Sequence, residues 1–188
     1  DFRARYPDIH LELLEVPFAE IIAGLHSGRV DAALVLGDPD KCEVFDCLAL
    51  WSELLMVALP IGHPLADKSI IYWPELKGER FLISHGDPGP DILNILLRYL
   101  AAPSDHPQID TLHLNRDNIL SEVGSGEGIS LQCESASGLT GLNVVFRPVH
   151  DGNGATRLGY IVCWKPDNIN PVLATLRSAL KEAMLIRS

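Results

Sequence analysis

Residues 18–37, FAEIIAGLHSGRVDAALVLG, constrain the fold more than any other segment of this chain. Their first half places apolar side chains at the spacing of one face of an α-helix, namely at Phe18, Ile21, Ile22 and Leu25. Gly28 is expected to end this helix, because glycine adopts the left-handed backbone of a helix C-terminus without a steric penalty. The continuous apolar run of residues 32–36 then predicts a strand that is buried on both faces.

A helix that leads through a glycine turn into a buried strand is one half of a βαβ unit. The other half is expected in residues 9–16, where apolar and polar side chains alternate at first, as in a strand with one exposed face. The connection should be right-handed and the two strands parallel. Further strands are predicted at residues 54–59, 80–83, 109–114, 129–131, 143–147 and 158–164. Further helices are predicted at residues 92–100 and after two residues that can cap a helix N-terminus, Asp117 and Asn170.

The composition is that of an ordinary globular protein. With 188 residues, 47% of them hydrophobic and 21% charged, the chain can form one or two compact units with sizeable cores. Its formal charge of −10 repels phosphates, so this chain alone is expected to bind nucleic acid poorly. No apolar run approaches the roughly 18 residues that span a membrane, and no signal peptide opens the sequence. The expected location is the cytoplasm, with no membrane partner.

The cysteines, Cys42, Cys47, Cys133 and Cys163, form no C-x-x-C pair. Their spacing favours thiols in a reducing compartment and leaves a Cys42–Cys47 redox pair or a metal site as the alternative. No histidine or cysteine lies at the spacing of a zinc site, so no metal ion is expected.

No catalytic constellation is apparent, so the chain is not expected to be an enzyme or to need a cofactor. The nucleophile elbow G-x-S-x-G and the metalloprotease motif H-E-x-x-H are both absent from the sequence. Ser84 and His85 are adjacent, which points their side chains in opposite directions on an extended chain. The glycines of residues 124–128 lack the Lys and Ser/Thr of a phosphate loop and follow a predicted helix, so they are expected to end it.

One motif points to a family. Leu25, Gly28 and Asp31, followed by the small and apolar residues 32–35, resemble the L-x-x-G-x-x-D motif of the effector-binding domain of LysR-type transcriptional regulators. Other segments resemble the same domain in the same order along the chain: Tyr6-Pro7, residues 54–60, His63-Pro64-Leu65-Ala66, Pro74-Glu75-Leu76, Gly126-Glu127-Gly128-Ile129 and residues 161–164. The resemblance covers nearly the whole chain.

The resemblance implies an α/β fold of two Rossmann-like subdomains joined by two crossover strands, the type 2 periplasmic-binding-protein fold. Subdomain I would comprise residues 1–53 and 158–188, and subdomain II residues 54–157. In that family a strand and most of a helix precede the point where this sequence starts, so the first strand of the fold is expected to be missing. No DNA-binding domain is expected in this chain.

The function implied by the resemblance is that of a ligand-sensing and oligomerisation domain. A small-molecule effector would bind in the cleft between the subdomains, and the chain would form a homo-oligomer, a dimer or, in the full-length protein, a tetramer. Promoter DNA would be contacted only through an N-terminal winged helix-turn-helix outside this sequence. A periplasmic-type solute-binding protein is the alternative, and an interaction domain with a vestigial cleft is a third hypothesis.

The loop of residues 84–90 leaves a predicted strand for a predicted helix, which is where open α/β sheets bind ligands. Together with the resemblance, this placement implies that the cleft is lined by Pro17, Phe18, Leu36, Gly37, Ser84, His85, Gly86, Gly126, Glu127, Gly128, Phe146 and Pro148.

Two of these residues indicate the type of effector. The resemblance implies a Ser or Thr near the position of Phe18 in many members that sense carboxylates, whereas Phe18 offers no hydroxyl group. Glu127 adds negative charge. We therefore expect an effector with an apolar or aromatic part rather than a small dicarboxylate. The resemblance also implies that the strand of residues 9–16 pairs with the helix of residues 117–123 of a second copy.

Overall fold

The computed structural model describes residues 2–38, 43–86, 88–102, 107–138 and 143–185. The chain divides into two compact units, which we call unit 1 (residues 1–52 and 159–188) and unit 2 (residues 53–158). The helices within the described residues are α1 (Phe2–Arg5), α2 (Phe18–Ser27), α3 (Gly89–Leu100), α4 (Arg116–Gly124) and α5 (Pro171–Leu185). The strands are β1 (Ala33–Leu36), β2 (Asp46–Pro60), β3 (Ile71–Tyr72), β4 (Arg80–Ser84), β5 (Gln108–Leu112), β6 (Ser130–Cys133), β7 (Val144–Asp151), β8 (Gly154–Ala155) and β9 (Arg157–Trp164).

The strands of the described residues form two sheets, and with the helices they make a mixed α/β fold. One sheet follows the order β1-β9-β2-β7-β3, with β6 added to β2 and β8 added to β7, and the other consists of β4 and β5. The strand β1 pairs with β9 antiparallel, from Ala33 opposite Cys163 to Leu36 opposite Tyr160. The strands β4 and β5 are parallel. Both β2 and β9 contain residues of each unit.

In unit 1, the segment that most constrains the fold forms a helix, a glycine turn and a strand. The helix α2 ends at Gly28, whose φ of 72° is left-handed as expected and whose N–H donates to the Leu25 carbonyl. Leu25 packs with Ala33 of β1 and with Ile161 of β9. A second cluster, around Leu50, Val162, Trp164 and Leu173, holds α5 against the sheet.

The predicted strand at residues 9–16 is wrong. No residue from 10 to 17 has regular secondary structure, and β1 is paired antiparallel with β9 rather than parallel with this segment. An alternating pattern makes a strand only when a neighbouring strand accepts and donates its backbone hydrogen bonds. Here the Leu11 carbonyl accepts instead from a side chain, the Arg3 guanidinium, at 3.1 Å. The expected burial of both faces of β1 is also wrong, because Leu34 is 54% exposed.

Unit 2 is built around the parallel pair β4 and β5. The helix α4 packs Ile119, Leu120 and Val123 against Leu82 of β4 and Ala58 of β2. The residue before β6 extends the pair, since Leu82 N–H donates to the Ile129 carbonyl at 2.8 Å and Ile129 N–H donates to the Arg80 carbonyl at 2.9 Å. These contacts bury the predicted apolar runs of unit 2.

Two helix caps differ in how well the sequence predicted them. The helix α5 is capped as expected, because Val172 N–H donates to the Asn170 side chain at 3.0 Å. The helix α4 is capped by Asn115, which accepts from Asn118 N–H at 3.0 Å, and not by Asp117. Asp117 lies in the first turn instead, where its charge still favours the helix N-terminus.

Candidate functional site

A cavity of about 490 Å³ lies within unit 1. Its walls come from α2, from β1 and the residues after it, from residues 43–45 and from β9. The lining residues are Phe18, Ile21, Ile22, Leu25, His26, Ala33, Val35, Leu36, Gly37, Asp38, Glu43, Val44, Phe45, Ile161 and Cys163. Three predicted ligand contacts, Phe18, Leu36 and Gly37, are therefore brought to one cavity, whereas Pro17 does not line it.

The cavity is mainly apolar, and its charged groups are acidic. Asp38 and Glu43 contribute carboxylates, and both residues are exposed. The His26 ring packs on Phe45 with 4.9 Å between ring centroids. No lysine or arginine is among the described lining residues. Such a cavity favours an apolar group and disfavours a dianion, because negative charge near two carboxylates is repelled.

In unit 2, two histidines lie at the carboxyl ends of the parallel strands. The register pairs Ser84 of β4 with Leu112 of β5, so the next residues, His85 and His113, emerge side by side. Their rings stack, with 4.2 Å between centroids and an interplanar angle of 26°. Both residues are exposed. The helices α3 and α4 begin within a few residues of this edge, which adds partial positive charge from two helix N-termini.

Sequence reasoning missed His113. The alternating pattern of residues 109–114 placed it inside a predicted strand, whereas β5 ends at Leu112. The signal that could have found it is the register of the parallel pair, since residues that follow neighbouring parallel strands meet at one edge of the sheet.

Ser84 holds its loop in place. Its hydroxyl donates to the Leu114 carbonyl at 2.8 Å and accepts from Gly86 N–H at 3.2 Å. The hydroxyl hydrogen is thereby used within the protein, so Ser84 can offer a ligand only a lone pair. The backbone also approaches itself closely here, since a Cβ on Gly89 would lie 1.8 Å from the Ser84 carbonyl oxygen.

The glycine loop of residues 126–128 lies beside the opposite end of β4. A Cβ on Gly128 would lie 2.7 Å from the Arg80 carbonyl oxygen, at the first residue of the strand. A five-residue strand separates this point from Ser84 by about 13 Å. Glu127 is exposed and faces the Arg80 guanidinium at 3.8 Å, which offsets part of its charge. Arg80 also donates to Asp110 at 2.6 Å.

The two remaining predicted contacts belong to β7. Phe146 packs against the apolar cluster of unit 2 around Leu82 and Leu120. Pro148 lies opposite Met56 of β2, and both predicted contacts are half-buried. Among the described residues, no group of three or more His, Cys, Asp or Glu side chains is arranged to hold a metal ion.

No helix in the part of the chain that the structure describes has both the length and the apolar character needed to cross a membrane.

Comparison with known proteins yields one consistent family. The sequence model described as LysR substrate binding domain matches residues 1–185. The Hca operon transcriptional activator HcaR of Escherichia coli K12 is 26% identical over 97% of this chain and 61% of its own length. The regulator BenM of Acinetobacter baylyi is 27% identical over 100% of this chain and 57% of its own length. The chain thus spans less than two thirds of the length of these relatives.

Solved structures show the same fold. The BenM effector binding domain with its effector benzoate superposes with a TM-score of 0.78 and 22% identity, covering 99% of this chain and 83% of that one. The oxidized form of OxyR gives a TM-score of 0.77 and 19% identity over 96% of this chain and 82% of that one. At these identities, the likeness concerns the fold alone.

Proposed function

Because this chain belongs to the family of LysR substrate-binding domains, we propose that it is the sensor part of a transcriptional regulator and binds a small-molecule effector. The match to the family over residues 1–185 carries this proposal, and it confirms the resemblance drawn from the sequence. The relatives described above are named as transcriptional regulators and not as enzymes, in agreement with the lack of a catalytic motif.

Signalling would follow from linkage. An effector that binds one arrangement of the regulator more tightly shifts the population toward it by the difference in affinity. DNA would be contacted by a winged helix-turn-helix outside this chain, because the formal charge of −10 opposes binding to phosphates. A regulator of this kind acts on promoter DNA in the cytoplasm.

We propose an effector with an apolar or aromatic part rather than a small dicarboxylate. The support is the cavity of unit 1, whose walls are mainly apolar and whose charged groups, Asp38 and Glu43, are acidic. The related BenM domain was solved with benzoate, an aromatic monocarboxylate. Burying one aromatic face against Phe18 would contribute about 1–2 kcal/mol.

The contacts proposed for the effector have unequal support. Phe18, Leu36 and Gly37 line the cavity of unit 1. His85 is supported by its stacking on His113, which we add to the proposed set because both imidazoles can donate hydrogen bonds. The resemblance alone supports the others, which are Pro17, Ser84, Gly86, Gly126, Glu127, Gly128, Phe146 and Pro148.

We also propose the finer architecture implied by the family: two Rossmann-like subdomains, of residues 1–53 with 158–188 and of residues 54–157, joined by crossover strands. A further strand would pair with the outer edge of β1. One observation supports this strand: within the described residues, β1 pairs only with β9. Such a strand would also cover part of Leu34.

Self-association is the last part of the proposal. The segment of residues 9–16 exposes Leu13 and Leu14, which is typical of a surface covered in an oligomer. The helix α4 can contribute only its polar face, since Ile119, Leu120 and Val123 are buried in unit 2. A Leu13→Lys variant is expected to weaken association in sedimentation velocity, because the charge would be desolvated at the contact.

The experiment is titration calorimetry of the full-length protein with benzoate, phenylacetate, succinate and citrate. We expect binding of the aromatic monocarboxylates and about tenfold weaker binding by Phe18→Ala. Phe2→Ala is the matched control, because Phe2 packs on Tyr6 and does not line the cavity. Tight citrate binding that Phe18→Ala leaves unchanged would contradict the proposed effector class. The absence of any ligand-dependent thermal shift across a wide metabolite panel would favour a pure interaction domain.

A further inference from the structure

Two cysteines that are distant in sequence meet in unit 1. Cys47 lies near the start of β2 and Cys163 near the end of β9, and these strands are neighbours in the sheet. Their sulfur atoms are 3.0 Å apart. The spacing of the cysteines along the chain gives no indication of this pair.

The pair lies on neighbouring strands, whose usual spacing is compatible with a disulfide. Neighbouring strands run about 4.7–4.9 Å apart, within the Cα separation of about 4.4–6.8 Å that disulfides need. An S–S bond of about 2.0 Å requires the two sulfurs to approach by about 1 Å from their separation of 3.0 Å. Cys133 lies on β6 in unit 2 and takes no part in this contact.

The cavity of unit 1 gives access to the pair. Cys163 is only 5% exposed at the protein surface, yet it is one of the residues that line the cavity. Cys47 is half-buried and packs against the same apolar cluster. The carboxylates of Asp38 and Glu43 also line the cavity, and they disfavour a thiolate. We therefore expect any oxidation of the pair to be slow.

We propose that Cys47 and Cys163 are a redox-active pair that forms a reversible disulfide on exposure to a small hydroperoxide. The Cys163 thiolate attacks the O–O bond, which gives a sulfenic acid on Cys163 and releases water or an alcohol. The Cys47 thiolate then attacks that sulfur, so the S–S bond forms and the S–O bond breaks. The departing hydroxide takes up the proton that the Cys47 thiol lost and becomes water. The sum is two thiols and one alkyl hydroperoxide giving one disulfide, one alcohol and one water, or, with hydrogen peroxide, one disulfide and two waters.

The test is oxidation of the reduced chain with a modest excess of hydrogen peroxide. Remaining thiols are then blocked with N-ethylmaleimide in denaturant, and the digest is mapped by mass spectrometry without reduction. We expect a peptide that links Cys47 to Cys163 and disappears with dithiothreitol. We also expect the melting temperature to rise by several degrees, because the bond closes a long loop.

Three variants make the result decisive. Cys133→Ser is the matched control and should form the same linked peptide. In Cys47→Ser, the sulfenic acid on Cys163 has no partner, so dimedone should label Cys163. Cys163→Ala should form no disulfide at Cys47. The proposal is overturned if the wild-type chain yields no such peptide, or if Cys47 links to Cys42 instead. These outcomes do not depend on effector binding.

Discussion

The strand β4 of unit 2 and the strand β1 of unit 1 have similar apolar sequences but different surroundings. In β4, Phe81, Leu82 and Ile83 are all buried, since β5 and the residue before β6 pair with the strand and α4 packs on it. In β1, only Ala33 is buried, and Leu34 is mostly exposed. Among the described residues, β1 has one paired neighbour, β9.

The difference teaches that burial is a property of the neighbourhood rather than of the apolar run itself. A sequence pattern states which side chains can be buried, and the partners present decide whether they are. In unit 2, the strands and the helix that cover β4 belong to the same continuous segment of the chain. Unit 1 leaves an open cavity beside β1, lined by side chains of α2. The following predictions test this contrast, from the largest effect to the smallest.

Leucine truncation should separate the two regions most clearly. Leu120 of α4 is fully buried, so Leu120→Ala is expected to lower the free energy of unfolding by about 3 kcal/mol. Leu13, which is 76% exposed, provides the matched change, and Leu13→Ala should cost less than about 0.5 kcal/mol. Urea denaturation followed by circular dichroism measures both. Equal losses would show that residues 9–16 are packed in solution.

A buried residue at the cavity should give an intermediate effect. Leu25 is 1% exposed but lines the cavity, so part of its side chain lacks the contacts that Leu120 makes. We expect Leu25→Ala to cost about 2 kcal/mol, near the lower end of the range for buried leucines. A loss of stability as large as that of Leu120→Ala would mean that other groups fill the cavity around Leu25 in solution. The same urea titrations provide the comparison.

The helix caps offer a smaller contrast. Asn115 caps α4 through its side chain, whereas α2 has Pro17 at this position and no side-chain cap. Asn115→Ala is therefore expected to lower the free energy of unfolding by about 1 kcal/mol. Pro17→Ala loses no capping hydrogen bond and should cost only about 0.5 kcal/mol, because alanine gives the unfolded chain more freedom than proline. Hydrogen exchange in the first turn of each helix should show the same order.

The smallest effect concerns pH. The hydrogen bond from the Lys68 side chain and then that from Tyr72 N–H lower the pKa of Glu75 below its ordinary value of 4.5. Because the folded-state pKa is the lower one, the contribution of Glu75 is complete above about pH 4.5 and is lost as the pH falls through the folded value. Glu75→Gln should therefore lower stability at pH 6 and flatten its decline below pH 4.5.

Glu182 of unit 1 provides a comparison with a more exposed ion pair. It pairs with Arg5, but both side chains are about half exposed, so solvent screens the pair. Thermal unfolding of wild type and Glu75→Gln between pH 3 and pH 6 measures the pH effect. At pH 6, Glu182→Gln should lower the melting temperature less than Glu75→Gln does. An identical pH profile for wild type and Glu75→Gln would show that the contacts of Glu75 with Lys68 and Tyr72 do not contribute to the pH dependence of stability.

Local signals predicted most elements of unit 2 and the helix-to-strand turn of unit 1. Gly28 ended α2 because its left-handed backbone is a local requirement, and Asn170 capped α5 for an equally local reason. The strand expected at residues 9–16 failed because pairing depends on a partner that no local pattern describes. The same limit applies to His113 and to the contact of Cys47 with Cys163, since each depends on which strands lie next to each other.

The continuity of unit 2 sets an order for folding. Its residues 53–158 form one uninterrupted segment, whereas unit 1 needs two segments from opposite ends of the chain. Near the ends of unit 2, Leu55 N–H donates to the Thr156 carbonyl at 2.8 Å. Folding of unit 2 brings residues 55 and 156 together and so includes the entropy cost of closing the loop between them. The strands β2 and β9 are then held close enough to pair. During synthesis, α2 and β1 emerge before unit 2, whereas β9 is completed only after it. The strand β1 can therefore pair with β9 only after the whole of unit 2 has been made.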